Sequence, residues 1–165
     1  MATNELPPCG LYRTLDQIGG IPAGRLVYFH NHGDPGAGMY LPESWTGNRA
    51  KFQRQGHLLP KPEDAQKLVP LPPEGFYRVE RQFHCCEKKC RLYEVDALVQ
   101  LGYNGEGTPI LFEPQWEGAK IALPDRGTRI DFEALLSIAP LRVLMKQGEG
   151  GADGSGGWDA AVCVV

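Results

Sequence analysis

The sequence lacks any apolar run long enough to cross a bilayer as a helix, so a helical membrane protein is not expected. It also lacks a basic stripe. The net charge of −3 is spread as +1, −2 and −2 over residues 1–70, 71–145 and 146–165. A charge so evenly spread gives no electrostatic footprint for nucleic acid. No basic amphipathic helix points to a membrane surface. Met1 to Cys9 does not show the charged-then-apolar pattern of a secretory leader. There is no Gly-rich phosphate loop, and no Ser-His-Asp or Cys-His arrangement can be assembled. Cysteines number only five, an odd count, and three of them crowd into residues 85–90. That is a poor disulfide framework and fits free thiols in a reducing cytoplasm.

Turn-forming residues, by contrast, are abundant. Gly (21) and Pro (14) are spread along 165 residues, which implies many turns and short elements. Such punctuation predicts an all-β fold. The chain also repeats itself. Leu6-Pro7-Pro8-Cys9-Gly10-Leu11-Tyr12-Arg13 returns as Leu71-Pro72-Pro73-Glu74-Gly75-Phe76-Tyr77-Arg78. Leu26-Val27 returns as Leu98-Val99, and Met39-Tyr40-Leu41 through Trp45 returns as Ile110-Leu111-Phe112 through Trp116. A period of roughly 70 residues is one small globular unit. The chain therefore reads as a tandem duplication of a small barrel of SH3-like size, in separate barrels or one pseudo-symmetric unit. The boundaries are 6–70 for the first repeat and 71–145 for the second. A Gly-rich tail with an apolar end follows over 146–165.

Each repeat reads as the same series. First strands are expected over 11–14 and 76–80, second strands over 25–30 and 97–101, and third strands over 39–41 and 109–112. Weaker fourth strands fall over 51–53 and 120–123. Short helices close the units over 62–68 and 132–138. Pro62, Glu63 and Asp64 suit the start of the first helix, and Asp131 suits the N-cap of the second. The recurrence of Trp45 and Trp116 marks each as the anchor of its unit's core, with an exposed aromatic platform as the other reading.

Two strings carry ligand-type side chains. In His30-Asn31-His32-Gly33-Asp34-Pro35 the two histidines are spaced i, i+2. On an extended segment they point to one side and can share a metal. The string, with Ser44 downstream, resembles the JAB/JAMM metalloproteases. That resemblance implies zinc and a hydrolase. The pattern departs at Gly33, where that family has Pro, and after Ser44, where Trp45-Thr46-Gly47 leaves out the third ligand, an Asp. The second repeat has Gly102-Tyr103-Asn104-Gly105-Glu106 at this place, so a hairpin turn with exposed histidines is the plainer reading.

The second string is His84-Cys85-Cys86-Glu87-Lys88-Lys89-Cys90. It falls where the second repeat is about seven residues longer than the first. Cys85 and Cys90, with His84 and a distant ligand such as Cys9, form a candidate zinc site. Lys88 and Lys89 beside the thiols suggest redox reactivity instead. Adjacent Cys85 and Cys86 would face opposite ways if extended, so using both needs a sharp bend.

Shared residues are apolar, Gly, Pro and Trp, the materials of folding. The leading expectation is a non-enzymatic cytoplasmic protein that binds another protein, and no cofactor is required for that. Its expected contacts are Asn31, His32 and Asp34 at the hairpin tip and Trp158, Val162 and Val164 in the tail, which can add to a sheet edge. The rival expectation is a metal-dependent hydrolase at His30 and His32, or a zinc or redox site over 84–90.

Overall fold

Alternation of side chains builds the first sheet. In β1 (Gly10–Thr14) and β2 (Leu26–His30), Tyr12 pairs with Val27 and Gly10 with Phe29. Tyr12, Val27 and Phe29 pack with Ile18, Ile21, Met39 and Leu68 in one core. The opposite face, carrying Leu11, Leu26 and Tyr28, packs with residues of the second half. This is the period-2 rule applied to a sheet covered on both sides. A computed structural model describes residues 5–146 and 148 of the chain. The tail strand expected at Trp158, Val162 and Val164 lies outside the described residues.

The first half continues through β3 (Gly38–Tyr40), β4 (Pro42–Thr46), β5 (Arg49–Phe52) and β6 (His57–Leu58). A 3-10 helix (Pro62–Lys67) and β7 (Leu68–Pro70) follow. The second half runs β8 (Gly75–Val79), β9 (Phe83–His84), β10 (Leu92–Tyr93), β11 (Leu98–Tyr103) and β12 (Pro109–Phe112). Then come β13 (Gln115–Glu117), β14 (Lys120–Ala122), β15 (Thr128–Arg129), a 3-10 helix (Phe132–Ser137) and β16 (Ile138–Pro140).

The protein is mostly β with two short helices. Two five-stranded antiparallel sheets have the orders β6-β3-β2-β1-β7 and β15-β12-β11-β8-β16. The expected barrels do not form: both sheets are open among the described residues. The reason is that β4 and β5 leave the first sheet as a two-stranded arm, as do β13 and β14 in the second half. What remains beyond β3 and β12 is a two-residue strand, too short to bridge to β7 or β16.

Both helices stand where expected, as six-residue 3-10 helices. Asp64 bonds Lys67 at 2.8 Å. Asp131 occupies the N-cap position, but its side chain makes no capping bond. The bond there runs from the Ala134 N–H to the Asp131 backbone carbonyl at 3.0 Å. Registers also shift the sequence alignment by one residue. Phe29 pairs with Met39 and Leu101 with Leu111, so Met39 corresponds to Leu111 and not to Ile110. A bulge between Pro42 and Ser44 accounts for the extra residue of the first half.

Neither tryptophan anchors a core. Trp45 and Trp116 sit on the arms at 44% and 76% exposure. Their surroundings differ. The β4–β5 arm crosses onto the second sheet, where Trp45 Nε1–H donates to the Tyr103 carbonyl at 2.8 Å. Asn48 Nδ2 donates to Gln100 Oε1 at 2.9 Å and to the Pro124 carbonyl at 2.8 Å, and Gln100 Nε2 donates to the Gly47 carbonyl at 3.0 Å. The arm lies directly over Gly102, where a Cβ would come within 2.6 Å of the Asn48 backbone oxygen. The β13–β14 arm carries its exposed Trp116 and Ile121 without a comparable hydrogen-bonded seat among the described residues.

Variants at the two arms should therefore behave differently. Gly102→Ala forces the arm off its seat and should cost about 1–3 kcal/mol of stability, the usual range for overpacking. Trp116→Ala should stay within about 0.5 kcal/mol of the parent, as for exposed positions. Urea unfolding of both variants checks this; a neutral Gly102→Ala would mean the arm is not seated as described.

Candidate metal centres

The first centre is assembled by strand pairing. Cys9 immediately precedes β1, and the Gly10–Phe29 register brings it opposite His30 at the end of β2. Asn31 locks the sulfur in place: its N–H donates to Cys9 Sγ at 3.4 Å, and the thiol donates to Asn31 Oδ1 at 3.3 Å. Cys9 Sγ lies 3.8 Å from Nδ1 of His30 and 3.8 Å from Nδ1 of His32. The two imidazoles stand edge to face, 4.4 Å between centroids. The i, i+2 histidines do share a side, and one ligand atom from each of the three residues falls within 4.8 Å of the others. Ligands of a tetrahedral zinc ion are about 3.5 Å apart, given bonds of roughly 2.0–2.3 Å. The group is close to that spacing.

Cys9 and His30 are half-buried and His32 is exposed. Burial, reinforced by the neighbouring His32, holds the His30 imidazole below the usual histidine range. A neutral imidazole is the form that ligates a metal. Tyr40 lines clefts on both sides. One, of about 510 Å³, has His30, His32, Asp34, Arg54 and His57 in its wall. The other, of about 400 Å³, is mostly apolar and is lined by Cys9, Tyr12, Tyr28, Phe52 and Glu74.

The second centre forms at the tip of the β9–β10 hairpin. The chain bends at Cys85 and Cys86 instead of staying extended, and the Lys89 N–H closes a turn on the Cys86 carbonyl at 2.9 Å. The bend turns both neighbouring sulfurs to one side. Cys85 Sγ is 3.5 Å from Cys86 Sγ, which is 3.8 Å from Cys90 Sγ. All three sulfurs fall within 4.8 Å of one another. The Cys90 backbone N–H, with the Cys85 thiol, draws the Cys86 thiol below the ordinary cysteine value. Contact with Cys86 and its charge push Cys90 up.

These placements rearrange the expected ligand sets. His84 is paired with Leu92 in the hairpin and does not join the sulfurs. Cys9 belongs with His30 and His32, not with Cys85 and Cys90. The sharp bend needed to use Cys86 beside Cys85 is present, and Cys86 is the middle sulfur of the group. Asp34 lines the polar cleft and is not among the three grouped ligands.

Glu74 was not singled out by sequence reading, although a signal existed. Leu-Pro-Pro-x-Gly occurs twice, and x is Cys9 once and Glu74 once. Glu74 is half-buried, and its Oε2 accepts the Ala50 N–H at 3.0 Å, tying the first arm to the second half. Burial raises its carboxyl pKa, opposed by that N–H and by Arg49.

Comparison with protein-family models, curated proteins and solved structures finds no match for this chain. The functional reading therefore stands on the two clusters and the clefts themselves.

Glu74 gives a pH prediction. Its folded carboxyl keeps a proton to higher pH than the unfolded one, so stability falls as pH rises from the ordinary carboxyl range through the shifted value. Glu74→Gln keeps an acceptor for the Ala50 N–H without the charge. The variant should show a flatter stability profile from about pH 4 to pH 8 and be no less stable than the parent at neutral pH. Urea midpoints across that range measure it; parallel profiles would remove Glu74 as the cause.

Proposed function

We propose that this protein is a non-enzymatic interaction module made of two fused copies of one β unit, whose first copy holds a zinc-class divalent ion on Cys9, His30 and His32. The observation that carries the metal reading is the meeting of one thiol and two imidazoles, from separate strands, within 4.8 Å. One sulfur and two nitrogens form a borderline-soft donor set suited to zinc. Three protein ligands leave a fourth position. On this reading a carboxylate, imidazole or thiol of a partner protein fills it, and Asn31, His32 and Asp34 lie at the contact.

The duplication is supported by paired structural details. The two sheets share one strand order. Tyr12 Oη donates to the Pro8 carbonyl at 2.7 Å, and Tyr77 Oη to the Pro73 carbonyl at 2.6 Å. The arm turns place Gly47 and Gly118 at matching positive φ, 57° and 62°. The tail residues Trp158, Val162 and Val164 remain proposed contacts on the same reading. So does a cytoplasmic location, which the free thiols favour.

A second reading takes water as the fourth ligand and makes the site a metal-dependent hydrolase. The polar cleft favours it, because Asp34, Tyr40, Arg54 and His57 line a space large enough for a substrate beside the two histidines. Zinc lowers the pKa of bound water toward neutrality.

Zinc content and affinity test the proposal, measured in a Cys86→Ser/Cys90→Ser background so that the second cluster does not contribute. One equivalent should bind. His30→Ala/His32→Ala should abolish binding. Cys9→Ser should weaken it by more than the 10–100-fold that outer-shell changes cost. Unchanged affinity in Cys9→Ser would sink the assignment. Hydrolysis of an activated ester by the zinc-loaded protein, lost with the histidines, would move the conclusion to the second reading.

A further inference from the structure

We infer that Cys85, Cys86 and Cys90 form a second, all-sulfur site that takes a monovalent thiophilic ion, copper(I), independently of the Cys9 centre. The argument begins with the donor set. The local sequence offers His84 next to Cys85, yet β9–β10 pairing keeps its imidazole out of the group. What converges is three sulfurs and nothing else among the described residues. Sulfur-only sites select soft ions. Zinc would need a fourth ligand from outside the group, as at the Cys9 centre. Copper(I) is satisfied by two or three thiolates in a linear or trigonal arrangement.

The scaffold is preformed. Cys85 is buried, its N–H bonds the Arg91 carbonyl at 2.9 Å, and its carbonyl accepts the Asp131 N–H at 3.0 Å. That fixes one sulfur against the core. The Arg91 N–H donates to Cys85 Sγ at 3.3 Å, which orients the sulfur. Lys89, held at φ 54°, turns the chain back so that Cys90 faces Cys86. Phe83 and Tyr93 stack 5.0 Å apart at the base of the hairpin. Only the outer two sulfurs need move, and they are the accessible ones: Cys86 is half-buried and Cys90 exposed.

Charge is consistent with this occupant. Three thiolates around a monovalent ion leave a net −2, and Lys88 and Lys89 sit in the same turn. Arg91 is already engaged by Glu113. Binding exchanges thiol protons for the ion and transfers no electrons. In the first half the chain passes the equivalent place with only the Ile18–Ile21 bridge, whose side chains are fully buried. The site thus belongs to the segment that the second half has and the first lacks.

The experiment is an anaerobic titration of the reduced, full-length chain with copper(I), in competition with a colorimetric copper(I) chelator. Ultraviolet thiolate-to-metal charge transfer is followed in parallel. One equivalent should bind with that band, also in Cys9→Ser/His30→Ala/His32→Ala. Cys86→Ser and Cys90→Ser should each weaken binding by at least about 100-fold, with circular dichroism unchanged. Neither replaced side chain is in the buried core, so folding and binding can be told apart. Binding that survives both substitutions, or that disappears with the Cys9 set, overturns the proposal. Equimolar zinc displacing the copper(I) overturns the choice of ion.

Discussion

The seating of the β4–β5 arm on Gly102 is the constraint on which the rest of the structure depends. Two open five-stranded sheets of this size would each bury too little on their own. They share one core because the arm from the first half lies across β11, and it can do so only where a strand residue has no side chain. Around that contact Leu11 and Leu26 pack among Val99, Leu101 and Tyr103. The Leu26 N–H bonds the Gly105 carbonyl at 2.9 Å, and Arg13 Nε donates to the Glu106 carbonyl at 3.0 Å. Gln100, a buried polar residue in the middle of a strand, is satisfied from the arm on both amide atoms. An unsatisfied amide there would cost about 1–3 kcal/mol, so arm and sheet specify one another.

Much of the architecture was readable from residues, and the failures share a cause. Glycine-marked turns and alternating apolar residues located the three main strands of each half to within two or three residues, and the two 3-10 helices nearly to the residue. What could not be read was anything decided by pairing between distant segments. Leu68–Pro70 and Ile138–Pro140 look like exits from helices, yet each pairs with the first strand of its half. Trp45 and Trp116 look like core anchors because tryptophan recurs, but an arm's destination is a tertiary fact. The barrel expectation failed for the same reason, since the hairpins that would have closed it were sent elsewhere.

The candidate sites show the same limit at smaller scale. The i, i+2 histidines were legible because strand geometry is local. Cys9 as their partner was not, because it is brought there by a register between segments twenty residues apart. Cys86 could join Cys85 only through a sharp bend, and whether the chain bends there is not written in the residue types. The contrast of Cys9 with Glu74 inside a repeated string was visible from the start. It marks two half-buried polar groups at one structural position, a difference inside a string whose other residues serve the fold.

Where the halves differ, the difference has a steric logic. The pairings of Gly10 with Phe29 and of Gly75 with Leu101 put His30 and Gly102 at matching positions. At Gly102 the missing side chain admits an arm. At His30 an imidazole stands in that space, so the first sheet cannot seat an arm in the same way. Beside His30 the sheet is left with clefts that Tyr40 lines. The difference between glycine and histidine thus has two consequences. It seats the arm of the first half on the second, and it places an imidazole beside a cysteine that the neighbouring strand already holds in place. The donor set needs no added loop: the position that is Gly102 in the second half, where an arm docks, is His30 in the first.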